Sequence, residues 1–286
     1  MKTKHIYLWL IACLLPLLSI AQNKNSSMNI FVKNPTKIYI GAVLDSTAIN
    51  QKEHQFITLK KPDLITVSSN LPVRSMEFLS TAENMVKAVQ TILEKTGTEM
   101  NNSFAHKRLP IRSLKEVYKL FGQQIDTEYY FGFSAENLEK KTFVGIDIEQ
   151  IFLTLDIDFP PDGILHHNDP TVQKNIDKLI YVGSVSYGRK ATILVESNYD
   201  YEKINATLAT VFSREKLSEE QKHILATAKY HSLLVGVPHM PMGNPQNFLL
   251  SVIETFSKPF SKTDYGVPLT FSASYVKDNS LFYNYY

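Results

Sequence analysis

Apolar and polar residues alternate along much of this chain with the period of a half-buried strand. Thr36–Leu44, Gln55–Leu59 and Leu64–Ser69 predict strands, the last closed by Asn70-Leu71-Pro72. Phe143–Phe159, ending at Pro160-Pro161, and Tyr181–Ser197 predict longer ones, joined by a polar connector over Asp162–Lys178. Tyr230–Val237 reads as a short strand, and Leu269–Tyr286 as a final one with a bend near Asp278-Asn279. Elsewhere the period is helical. Met85, Val86, Val89, Ile92 and Leu93 predict a helix over Thr81–Lys95, with Thr96-Gly97 as its stop. Tyr199–Thr227 and Phe248–Phe256 also read as helices. Long strands with helices inserted between them define an α+β class.

Two segments carry both periods. Ile125, Thr127, Tyr129, Phe131 and Phe133 alternate with Asp126, Glu128, Tyr130, Gly132 and Ser134, as in a barrel strand with one wet and one apolar face. They follow Leu114, Val117, Tyr118 and Phe121 at helical spacing. Ile204, Leu208, Val211 and Phe212 make a helical stripe, while Ile204, Ala206, Leu208, Thr210 and Phe212 make an alternating set. Periodicity leaves both assignments open, an ordinary amphipathic helix being the plainer.

The first residues add a destination. Lys2 and Lys4 precede an apolar run from Ile6 to Ile20, and Ser19-Ile20-Ala21 has the small-residue form of a cleavage site. Residues 1–21 are expected to be a signal peptide, cut between Ala21 and Gln22, which makes the chain secreted. Leu10-Ile11-Ala12-Cys13 has a lipobox shape, but the apolar run continues well past Cys13. Polar residues 22–35 are expected to be a flexible leader, and 36–286 the folded core. Cys13 is the one cysteine and Trp9 the one tryptophan, so cleavage leaves neither, and no disulfide framework. It also lowers Lys plus Arg from 30 to 28, against 28 Asp plus Glu. A balanced chain exerts no global pull on nucleic acid.

Candidate chemistry is sparse. Gly183-Ser184-Val185-Ser186-Tyr187-Gly188 lacks the spacing of a nucleophile elbow. His166-His167-Asn168-Asp169 looks metal-like, yet adjacent histidines on a strand point apart. His231 and His239 lie in an apolar stretch and read as packed or turn residues. Asp147, Glu149, Asp156 and Asp158 alternate with Ile146, Ile148, Phe152, Leu155 and Ile157, the pattern of a strand's solvent face. No enzyme, cofactor or metal centre is expected.

Several motifs, taken in order, resemble the thiol-activated, cholesterol-dependent cytolysins of the membrane-attack-complex/perforin superfamily (MACPF/CDC). Ser184, Tyr187, Gly188 and Arg189, followed by a strand into Glu196-Ser197, resemble that family's core strand. Thr36–Leu44 resembles its Tyr-Pro-Gly-Ala-Leu segment, with Ile40 where proline is usual; Ile65–Pro72 resembles its strand ending in Asp-Leu-Pro. Gln150–Thr154 resembles its Lys-Gln-Ile-Phe-Tyr-Thr strand, and Tyr230–Gly236 the aromatic-led strand that ends in a glycine pair. Val267–Phe271 and Tyr275–Asn279 resemble its Tyr-Pro-Ile-Ser-Tyr and Phe-Leu-Lys-Asp-Asn run.

The resemblance implies a twisted antiparallel sheet with two helical clusters, each able to become a transmembrane β-hairpin of a ring-shaped oligomer. By position these would be Leu120–Lys140 and Glu202–Leu225, the segments with two periods. Tyr230, Gly236 and Val237 would form the hinge at the sheet edge, with Val237 replacing one glycine of the family's pair. The family's fourth, membrane-anchoring β-sandwich is expected to be absent, because the chain stops at Ser280–Tyr286, about where that domain would begin. The implied partners are a target-cell lipid membrane and further copies, or a longer cytolysin-like paralogue, with proteolytic activation as the other route. The alternatives are a non-lytic binding or decoy protein on the same fold and, more distantly, a degenerate enzyme or carbohydrate-binding module.

Overall fold

A computed structural model describes residues 25–96, 103–133, 141–158, 165–166, 168–241 and 243–286. The expected signal segment, Ser134–Lys140 of the first cluster, Phe159-Pro160-Pro161 and His167 lie outside the described residues.

Two strands dominate: β7 (Thr142–Ile157) and β8 (Leu179–Ser197). They pair antiparallel from Thr142↔Ser197 to Asp156↔Ser184. Seven shorter strands complete a nine-stranded antiparallel sheet. On the far side of β8, β9 (Lys229–Val235) pairs with residues 190–196 and β10 (Val267–Tyr275) with residues 180–188, end to end. On the far side of β7, β6 (Ala105–Pro110) pairs with residues 144–149 and β4 (Leu64–Ser69) with residues 155–157. β5 (Met76–Leu79) flanks β4, β2 (Ile30–Phe31) flanks β10, and β3 (Val43–Asp45) joins the start of β8. The sheet therefore has a lower half bearing the main core and an upper half ordered β6-β7-β8-β9. β1 (Ser26–Ser27) and β11 (Asn284–Tyr285) make a separate two-stranded ribbon.

The helix over α1 (Ala82–Lys95) begins as its sequence requires, with Thr81 accepting from the Asn84 N–H, and it buries Met85, Val89, Ile92 and Leu93. Val86, counted with that stripe, faces out. Other expectations need correction. Residues 22–35 are not loose throughout: β1 and β2 are paired, and Ile30, Phe31 and Val32 are buried. Only Val43 and Leu44 of Thr36–Leu44 are in a strand, because Pro35 opens a turn and Gly41 sits at φ +81°. Gln55–Leu59 contributes a single bridge, Phe56 to Leu44. The connector contains α4 (Pro170–Asn175), capped by Asp169. The long helix breaks at residues 213–218 into α5 (Tyr201–Phe212) and α6 (Glu219–Thr227), and Ser218 and Gln221 form a capping box for the second. Helix α7 (Pro245–Ser257) follows β9. Past Tyr275 the final strand ends in a turn with Asn279 at φ 59°, after which the chain doubles back along β10 through a Ser274–Leu281 bridge before reaching β11.

Candidate functional site

The upper half-sheet holds both ambiguous segments. Residues 111–141 connect β6 to β7, and residues 198–228 connect β8 to β9, over the same number of residues. Each joins two adjacent antiparallel strands and carries two helices among its described residues. The first contains α2 (Leu114–Lys119) and α3 (Thr127–Phe131); the second contains α5 and α6.

The clusters cover opposite faces. Val144, Ile146, Ile148, Ala191, Ile193 and Val195 point toward α5, α6 and α7 and form a wholly apolar layer. Phe143 and Leu194 point the other way, against Ile111, Val117, Leu120, Phe121, Phe131 and Phe133. In α3 the alternating pattern of 125–133 does not make a strand in this form. Asp126 caps the Tyr129 N–H, Gly132 closes the helix at φ 72°, and Ile125, Phe131 and Phe133 are buried while Tyr129 faces solvent. In α5, Ile204 and Leu208 are buried, Thr210 and Phe212 are partly covered, and Ala206 is exposed. Phe212 stacks on His106 of β6 at 4.9 Å, and Asn205 accepts from Arg108 Nε at 3.0 Å.

The face beneath the first cluster is not the solvent face that alternation suggested for Asp147 and Glu149. Asp147 is 6% exposed and Lys190 2%. Lys190 Nζ lies 2.8 Å from Asp147 Oδ1 and 3.2 Å from Glu149 Oε2, and Thr192 Oγ1 donates to Asp147 Oδ1 at 2.8 Å. Burial opposes the Lys190 charge, but the two carboxylates outweigh it and hold its ammonium above the ordinary lysine range. Asp156, further along β7, is exposed as expected. The one sequence signal for this network was a lysine inside the otherwise buried run of β8.

The first cluster is also tied at its linker. Gln123, fully buried, donates to the Phe31 carbonyl and lies 3.0 Å from His54 Nε2. Asn284 Nδ2 donates to the Gly122 carbonyl at 2.8 Å. Burial holds the His54 imidazole down to about 4, partly offset by the Gln123 hydrogen bond and reinforced by the Lys33 charge.

The core-strand motif sits where β8 passes from β10 to β9. Tyr187 is buried and Ser184 partly so. A Cβ on Gly188 would meet the Gln150 carbonyl at 2.0 Å, opposite the irregularity between Ile151 and Leu153. Arg189 is buried and ties down the end of α7. Its Nη1 donates to the Thr255 and Lys258 carbonyls, both at 3.2 Å, and its Nη2 to Asp264 at 2.6 Å. Tyr230 lies in β9 with its hydroxyl donating to the Leu225 carbonyl of α6. Gly236, at φ +69°, ends β9 so close to Gly188 that a Cβ would lie 2.5 Å from the Gly188 carbonyl; Val237 follows, partly buried.

A large antiparallel sheet carrying helical inserts in two hairpin connections defines the class. The chain belongs to the thiol-activated cytolysins, whose family model matches residues 20–283. It is 21% identical to pneumolysin of Streptococcus pneumoniae serotype 4, over 89% of this chain and 60% of that protein. It is 20% identical to ivanolysin of Listeria ivanovii, over 92% of this chain and 55% of that protein. Among solved structures, listeriolysin O superposes with a TM-score of 0.72 at 17% identity, over 91% of this chain and 60% of that one. The human-specific toxin intermedilysin gives 0.67 at 21% identity, over 91% and 61%. The chain thus spans about 55–60% of the length of the curated relatives it matches.

Proposed function

We propose that this chain is a secreted pore-forming subunit in which residues 111–141 and 198–228 give up their helices and extend β6–β7 and β8–β9 as two membrane-crossing hairpins. The observation that carries this reading is connectivity: each cluster already bridges neighbouring antiparallel strands, so extension needs no new pairing partner within the subunit. Each connection is long enough for two strands of about 10 residues and a turn. Side-chain parity supports it as well. Phe143 and Glu196 are cross-strand partners and share a face. Counted outward without a bulge, Ile125, Thr127, Tyr129, Phe131 and Phe133 fall on the Phe143 face, and Ile204, Ala206, Leu208, Thr210 and Phe212 on the same face. Within these two runs the named residues would then meet lipid and their sequence neighbours the lumen, while the same count brings Lys119 and Glu219 of the opposing strands to the lipid side.

In lipid such hairpins need closure into a barrel, which hides every strand edge. β6 and β9 end the upper half-sheet, so a neighbour's β6 would pair with β9. That neighbour is another copy or a longer cytolysin-like chain. The test is dye release from lipid vesicles and ring imaging, with the protein alone, with a longer relative from the same source, and after brief proteolysis. Release with rings in any arm supports the reading. If no arm releases dye and both clusters stay protected from hydrogen exchange on membranes, the chain is a non-lytic binding protein on the cytolysin fold.

A further inference from the structure

His231 stands on strand β9 with its side chain 17% exposed. Its Nδ1 lies 3.1 Å from the carbonyl of Phe131, the last residue of α3. Its Nε2 lies 2.8 Å from Oε1 of Glu196, which is buried at the end of β8. The ring packs on Phe133 at 4.9 Å and on Phe143 at 6.5 Å. One side chain thus touches the base of the second hairpin and the first cluster together.

Both polar partners are acceptors: a carbonyl cannot donate, and neither can an ionised carboxylate. A neutral imidazole has a single N–H and can serve only one of them. Making both contacts requires one proton more than a neutral ring beside a carboxylate, whether that proton sits on the ring or is shared with Glu196. We propose that His231 is a proton-operated latch, which holds the first helical cluster against strand β9 when protonated and loosens it when the proton leaves.

The Phe131 carbonyl belongs to the last turn of α3, where carbonyls lack helical partners, so the latch supplies a bond that the helix cannot. Lys229, exposed on β9, is the cross-strand partner of Glu196 and lies on the same face, while Lys107, Asp147, Glu149 and Lys190 form a group further along the sheet. On the first cluster, Asp126 accepts from Tyr129 N–H and pairs with Lys52, while Glu128 is exposed. The direction follows from where the proton binds. The closed form holds it, so the latch is closed at low pH and loosens as pH rises. His54, held down to about 4, stays neutral between pH 6 and pH 8. The consequence for insertion rests on the proposed hairpin release; the latch itself does not.

The test is hydrogen exchange of the full chain at pH 6 and pH 8, corrected for intrinsic rates, with β10 and α5–α6 as internal references. Protection over residues 114–133 is expected to fall about 10-fold more than in the references, the scale of one charge-assisted hydrogen bond. His231→Phe should be weakly protected at both pH values. Glu196→Gln should be protected at both, because its amide can donate to a neutral ring whose own N–H still serves Phe131. A flat wild-type profile overturns the latch without recourse to variants, and so does a Glu196→Gln chain that loosens the cluster. Vesicle release in the same buffers separates the two ideas: the expected exchange profile in a chain that never leaks would sink the pore reading and leave the latch standing.

Discussion

Replacing Ala206 by lysine separates the helical form from the barrel. On α5 Ala206 is exposed, so the exchange costs only a few tenths of a kcal/mol in helix propensity. In the extended hairpin it lies between Ile204 and Leu208 on the lipid-facing parity. A lysine near the midplane of a barrel strand costs about 2–4 kcal/mol, or roughly 30- to 900-fold in the insertion equilibrium of each subunit. Ala209→Lys is the control. That position is partly covered on α5, so its lysine harms the soluble fold more, yet its parity places it in the lumen. Circular dichroism and thermal unfolding would report the fold, and vesicle dye release would report insertion. The expected outcome is an inversion: Ala206→Lys keeps the melting temperature within a few degrees and loses release, while Ala209→Lys melts earlier and still releases dye. Equal release from both variants would refute the register.

Other expectations are stability measurements. Lys190→Met leaves the buried Asp147 carboxylate with only Lys107, 3.5 Å away, and the Thr192 hydroxyl, and should cost about 3 kcal/mol in urea unfolding. His54 takes up a proton near 6.5 in the unfolded chain but only near 4 in the fold. The unfolded state therefore binds more protons between those values, so stability should fall by about 3 kcal/mol as pH drops from 6.5 to 4, and His54→Gln should flatten that slope. Gly188→Ala drives a Cβ toward the Gln150 carbonyl and should cost about 1–3 kcal/mol, visible as a lower denaturation midpoint, or prevent soluble expression.

What the sequence disclosed depended on whether one layer or two decided a residue's place. β7 and β8 were legible because sixteen and nineteen residues of strand pattern leave little freedom in register. The two ambiguous segments were legible as ambiguous, and the helices that form there keep residues such as Ala206 and Tyr129 exposed. Asp147 and Glu149 were misread because a charged residue every second position looks the same under water or under another helical layer; only the packing of α2 and α3 distinguishes them. The leader was misread for a related reason. Asn25–Phe31 has few apolar residues of its own, and its order comes from Tyr285, Asn284 and β10, which are remote in sequence. His231 gave no local signal, since its meaning depends on Glu196 and Phe131.

The two clusters rest on unlike surfaces, which gives their release different physics on the proposed reading. The second cluster leaves an apolar layer, but α7 stays behind with Phe248, Val252 and Phe256 against that same layer. Its departure is governed by exposed apolar area and therefore depends little on the screening of charges. The first cluster covers Phe143 and Leu194 but also the Lys190 group and Glu196, which water solvates well once uncovered. Opening returns those ions to a high dielectric and recovers their desolvation penalty. What resists it, besides the aromatic contacts, is a set of polar ties: His231 to Phe131, Gln123 to Phe31, and Asn284 to Gly122. Exchange over residues 114–133 should consequently change with pH while exchange over 201–227 does not. Parallel responses of the two clusters would mean that a single cooperative unit holds both, and that the polar floor has no separate part in release.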